Sequence, residues 1–140
     1  VTIVVQPHKV WLAALLKQQN DSCLRQEREP NNTIGEANEG LCFGVGITGS
    51  HDGTAGTGDL YRVNGRAGDT LSVVMETGNP DGVQLLLYRW NNGAAELVGQ
   101  SVAEPFRLMY TVETDSLLYI YVYSDAGAAN GDGYDLLVSR

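Results

Sequence analysis

The sequence predicts an all-β fold, a jelly-roll β-sandwich of about eight antiparallel strands, with a short strand-and-helix segment ahead of it. Two observations carry that prediction. From Glu27 onward apolar residues recur at every second position in short runs, and the 3.6-residue period of a helix disappears. Between the runs lie clusters of Gly, Asn and Asp, drawing on 17 glycines in 140 residues. Such clusters supply the positive φ angles that tight turns require.

Composition fits this reading. Hydrophobic residues make up 43% and charged residues only 19%, enough apolar matter for one core and too little charge for a disordered chain. The length suits a single domain. With 9 Lys and Arg against 17 Asp and Glu, the net charge is -8. That balance argues against duplex nucleic acid and against electrostatic docking on anionic lipid, both of which need clustered cations.

The chain divides near Gln26. Residues 1–26 hold three basic residues and one acidic one; residues 27–140 hold six and sixteen. In the first part, residues 2–5 read as a strand, Pro7 follows, and residues 9–19 read as a helix ending at Asp21 and Ser22. The helix is apolar most of the way round, so it is expected to pack, as a linker or as the end of a preceding module. Its apolar run, residues 10–16, is far shorter than a membrane span needs and has no small-residue cleavage site after it. The chain opens on Val1, so trimming ahead of it, with loss of a signal peptide, is expected.

The second part reads as strands at 44–48, 60–63, 69–77, 83–90, 95–99, 106–112, 117–124 and 134–139. Turn clusters separate them at 49–53, 65–68, 78–82, 91–93 and 130–133. In the seventh strand Leu118, Ile120 and Val122 share one face, and Tyr119, Tyr121 and Tyr123 share the other. In the fourth, Val83, Leu85 and Leu87 lie opposite Gln84, Leu86 and Tyr88. The aliphatic rows are expected to meet in the core.

Cys23 and Cys42 are the only cysteines. Paired, they close a loop worth about 3 kcal/mol; in a reducing compartment they are two buried thiols. With His8 and His51 they show no zinc-finger spacing. The sequence holds no zincin, nucleophile-elbow or Walker motif, and pairs such as Glu104 and Glu113 carry no mark of a glycosidase. The expectation is a protein that is not an enzyme.

Six motifs then occur in order. Glu29-Pro30-Asn31-Asn32 with Ala37 comes first, followed by Asp59-Leu60-Tyr61-Arg62-Val63 and Ala67-Gly68-Asp69-Thr70-Leu71. Leu85-Leu86-Leu87-Tyr88, Tyr119-Ile120-Tyr121-Val122 and Gly133-Tyr134-Asp135-Leu136 complete the series. Together they resemble the bacterial pre-peptidase C-terminal domain family, over residues 27 to 140. Thr57 and Gln84 depart from the family pattern, which has Asp at those places. The resemblance implies a jelly roll in a secreted or cell-surface bacterial protein, commonly appended to a peptidase and related to collagenase collagen-binding domains. Some members carry a cysteine before the Glu-Pro-Asn motif and another before the Asp-x-Asp strand, as Cys23 and Cys42 do here.

The resemblance also implies site residues. Calcium would be the cofactor, held by Glu27, Glu29, Asn31, Asn32 and Asp59, with Asp52 close enough in sequence to help, a set of oxygen donors suited to that ion. The alternative is an Asn-rich turn with solvated glutamates. Asn31-Asn32-Thr33 is also a glycosylation sequon, expected by chance in a bacterial chain, and the acidic loop from Asp125 to Asp132 reads as Gly-rich turn chemistry. Tyr119, Tyr121 and Tyr123 are the candidate ligand-binding stripe, against the alternative of ordinary cross-strand packing. Trp90, at a strand end, is placed to stack on a sugar or to cap the core. The expected role is a non-catalytic accessory module. Its expected partner is an extracellular protein, a polysaccharide polymer or a neighbouring domain of the same protein. The competing role is a surface assembly protein docking through residues 1–26.

Overall fold

A computed structural model describes residues 22–51, 56–125 and 132–140. The predicted strand at 2–5, the predicted helix at 9–19, Asp52 and most of the loop between Asp125 and Asp132 lie outside the described residues.

All eight predicted strands form. They are β1 (Ile47–Ser50), β2 (Thr57–Gly65), β3 (Thr70–Thr77), β4 (Val83–Asn91), β5 (Ala94–Ser101), β6 (Phe106–Thr111), β7 (Ser116–Ser124) and β8 (Gly133–Ser139). The first starts later than expected from 44–48. The Gly44 N–H donates to the Val138 carbonyl and the Val45 N–H to that of Cys42, so 44–46 make a turn into the strand. The second runs longer than 60–63 at both ends because β7 pairs with it from Thr57 to Gly65. A short 3-10 helix, Ile34–Glu36, was not legible in the sequence.

The strands form two four-stranded sheets, ordered β1-β8-β3-β6 and β2-β7-β4-β5. Every neighbouring pair is antiparallel. The chain changes sheet at each connection except β4 to β5, the crossing pattern of a jelly roll. That one hairpin turns on Asn92 and Gly93 at φ 50° and 81°, both positive as a two-residue type I′ turn requires.

The expected faces are the observed ones. Leu85, Leu87, Leu118, Ile120 and Val122 are buried between the sheets against Val73, Leu136 and Val138. Each such side chain contributes roughly 1.5–3 kcal/mol on burial. The chain joins this core before Glu27: Leu24 is 2% exposed, and Gln26 bridges Thr48 in parallel beside β1. Cys23 and Cys42 form a disulfide with Cα atoms 5.4 Å apart. No helix among the described residues is long and apolar enough to cross a membrane.

Candidate functional site

Two features of the surface are built rather than incidental. The first begins with a strap. Glu27 is fixed by its N–H on the Thr48 carbonyl, and the chain then crosses to the free edge of β2. There the Leu60 N–H donates to the Asn31 carbonyl, the Asn38 N–H to that of Leu60 and the Arg62 N–H to that of Asn38. The strap thus pairs an edge that would otherwise be bare, and it sets Glu27, Glu29 and Asn31 over the end of β2, where Asp59 points inward.

The carboxylates of Glu27, Glu29 and Asp59 each offer an oxygen within 4.8 Å of the others. Asp59 is 2% exposed. Its Oδ2 accepts a 2.6 Å hydrogen bond from the Tyr134 hydroxyl of the opposite sheet, which lies 2.6 Å from the Tyr61 hydroxyl. Glu27 is held by the backbone N–H and, at 3.1 Å, the hydroxyl of Ser50. The Asn31 amide nitrogen donates to it at 3.2 Å. Asn31 is completely buried, and its Oδ1 has no hydrogen-bond partner. A buried acceptor left unpaired on a side chain that meets Glu27 is costly unless a donor or a cation reaches it.

The electrostatics agree. Burial raises the Asp59 carboxyl from 3.8 to about 8, the Tyr134 hydrogen bond opposes the rise, and the neighbouring Glu27 and Glu29 add to it. Burial likewise pushes the Tyr134 and Tyr61 hydroxyls well above the ordinary tyrosine range, so both remain donors. His51, 3% exposed, sets its ring 5.2 Å from that of Tyr134.

Of the predicted metal residues, the structure brings Glu27, Glu29, Asn31 and Asp59 together. Asn32, next in the chain to Asn31, is exposed and lines a different hollow. Asp52 lies outside the described residues. Sequence reasoning missed Tyr134, Tyr61 and Ser50. Gly49 makes room for Tyr134, because a Cβ there would meet the Tyr134 ring at 2.3 Å. Glycine is what lets the ring cross to Asp59.

The second feature is the outer face of the β2-β7-β4-β5 sheet. Tyr119, Tyr121 and Tyr123 do share it, as expected. Register sets Tyr88 opposite Tyr119 and Gln84 opposite Tyr123 on one side, and Arg62 opposite Tyr119 and Gly58 opposite Tyr123 on the other. Rings touch in series: Trp90 with Tyr119 at 6.2 Å, Tyr88 with Tyr121 at 6.5 Å, Tyr121 with Tyr123 at 5.6 Å. Tyr119 itself is buried, and Trp90 is 37% exposed. Leu60, Tyr88, Tyr119 and Tyr121, with Asn32 and Ile34 of the strap, enclose a hollow of about 250 Å³. Cross-strand packing and an open aromatic surface are therefore both present on this face.

The sandwich has a pre-peptidase C-terminal-like fold, as its likeness to solved structures shows. The pre-peptidase C-terminal domain of Bacillus anthracis collagenase shares it, with 21% identity, a TM-score of 0.59, and coverage of 81% of this chain and 100% of that one. So does PliG of Aeromonas hydrophila, a periplasmic inhibitor of g-type lysozyme, with 16% identity, a TM-score of 0.56, and coverage of 84% and 95%. No protein-family model matches the chain, and no curated protein matches it in sequence.

Proposed function

We propose that the chain is a non-catalytic extracellular binding module whose strap is locked to the sandwich by calcium. The gathering of Glu27, Glu29 and Asp59 carries the reading, with the unpartnered Oδ1 of Asn31 on a side chain hydrogen-bonded to Glu27. The donors are all oxygen and the charge is high, which suits calcium and not zinc or copper. The bound ion supplies charge compensation. Glu27 and Asn31 then hold the strap, and Asp59 anchors it to β2. The disulfide supports an oxidising location outside the cytoplasm.

The binding surface is the outer aromatic face, with Trp90, Tyr121 and Tyr123 as contacts. Rigid amphipathic rings suit a protein or sugar polymer. The fold neighbours, a collagenase domain and a lysozyme inhibitor, support an accessory or protein-binding role rather than catalysis.

The test is a calcium titration of chelator-treated protein followed by melting temperature. Calcium at about 100 times its dissociation constant should stabilise by about 2.7 kcal/mol, and Glu29→Gln should blunt the response. An unchanged melting temperature at millimolar calcium defeats the metal reading. Trp90→Ala with Tyr121→Ala should abolish retention on fibrous collagen or cellulose if either is the partner class.

A further inference from the structure

A third place on the molecule lies apart from the acidic cluster. Seven basic side chains belong to the described residues, all arginines. Three of them, Arg62, Arg66 and Arg140, line one hollow of about 430 Å³ with a single glutamate, Glu39. Leu41, Phe43 and Val63 also line it. For a chain of net charge -8, this is a local reversal of sign.

The hollow is built from fixed backbone. The Cys23–Cys42 disulfide and the hydrogen bond from the Gly44 N–H to the Val138 carbonyl hold Phe43 against the end of β8. Arg66 opens the turn into β3, where its carbonyl accepts from the Asp69 N–H at 3.0 Å and Gly68 takes φ +90°. The Arg140 guanidinium lies 4.6 Å over the Phe43 ring, which orients its planar fork.

The internal charge partners among the described residues are few. Arg62 meets Glu39 at 2.8 Å with both side chains well exposed, and Arg140 reaches Asp69 at only 3.6 Å. Arg66 makes no ion pair among the described residues. The Arg62–Glu39 pair is exposed and weak, so an incoming oxyanion displaces it at little cost, whereas Arg140 stays on the buried Asp69 Oδ2, which has no hydrogen-bond partner.

We infer that this hollow is a carboxylate cradle that takes an acidic side chain of a protein partner, with Arg62 and Arg66 as the donors and Phe43 and Leu41 receiving the flanking apolar groups. An extended polyanion is the poorer fit. It needs a basic stripe, and the rest of this acidic surface repels it. Arg62 stands opposite Tyr119 across β2 and β7, so the cradle continues the aromatic face. It rests on the arginines alone and on neither calcium nor the tyrosines.

The test is an NMR titration of the arginine Nε–H signals, assigned with Arg62→Gln and Arg66→Gln. The probes are a blocked Leu-Glu-Leu tripeptide, its Leu-Gln-Leu counterpart and digalacturonate. The acidic tripeptide should shift the Arg62 and Arg66 signals with a dissociation constant on the order of millimolar at low salt. The glutamine peptide should leave them still. The double variant should weaken binding about tenfold or more with an unchanged melting temperature, since both residues sit on the surface. Equal response to the two peptides, or wild-type binding by the folded double variant, overturns the cradle. Tighter binding of digalacturonate than of the acidic tripeptide overturns the protein partner.

Discussion

Replacing Asp59 by Asn tests the acidic cluster with opposite signs in two conditions. The substitution keeps shape, and the new amide oxygen still accepts from the Tyr134 hydroxyl. What it removes is a charge that burial opposes. In the folded chain the carboxyl sits at about 8 against 3.8 when unfolded. Below pH 4 both states hold the proton and nothing is lost. Between pH 4 and 8 the unfolded chain ionises while the folded one does not, so stability falls as pH rises and reaches its floor above 8. At about 1.4 kcal/mol per pH unit the ceiling is about 6 kcal/mol. Relaxation and water entry will reduce it, and a third of it, about 2 kcal/mol, corresponds to roughly 6–10 °C in a domain of this size. Without divalent ions at pH 8.5, Asp59→Asn should therefore melt several degrees above wild type, and the difference should shrink toward pH 5. With calcium at pH 8.5 the order should reverse, because the variant has lost a ligand and the charge that attracts the ion. The assay is calorimetry of both proteins with chelator and with calcium. A variant less stable than wild type at pH 8.5 in chelator would refute the burial argument; a gain that calcium leaves untouched would refute the metal.

Three further outcomes are expected. Gly58→Ala should cost about 1–3 kcal/mol by urea unfolding, because its Cβ meets the Val122 carbonyl oxygen at 2.3 Å and the Tyr121 ring at 2.7 Å. Cys23→Ser with Cys42→Ser should lose about 3 kcal/mol, read as a lower urea midpoint. Tyr134→Phe should raise the Asp59 pKa further, since it deletes the hydrogen bond that opposes burial. Carboxyl NMR titration would show it, and a lowered value would contradict the assigned donor.

Strand positions were legible because each strand buries one face and leaves the other to solvent, so period two survives in the letters. The partition of Leu118, Ile120 and Val122 from the three tyrosines came through intact for that reason. The sites were only half legible. Glu27, Glu29, Asn31 and Asp59 carry the resemblance, but Asn32 went to the opposite side because consecutive residues on the strap face different ways. Tyr134 was invisible as a site residue. Its partner Asp59 is 75 positions away in the chain, and only register across both sheets brings them together. The Arg62, Arg66 and Arg140 hollow was hidden likewise, since three separate elements supply its charges.

The strand order has a consequence for how the molecule comes into being. β1 pairs with β8 and β2 with β7, so the leading strands find their neighbours only at the far end of the chain. Pairings so distant in sequence form slowly, after a costly loop closure. A chain emerging from a ribosome therefore cannot complete the β2-β7-β4-β5 sheet before β7 has emerged, nor the β1-β8-β3-β6 sheet before β8 has. Until then β1 and β2 lack their sheet partners and present open edges, which the folding chain must keep from pairing wrongly.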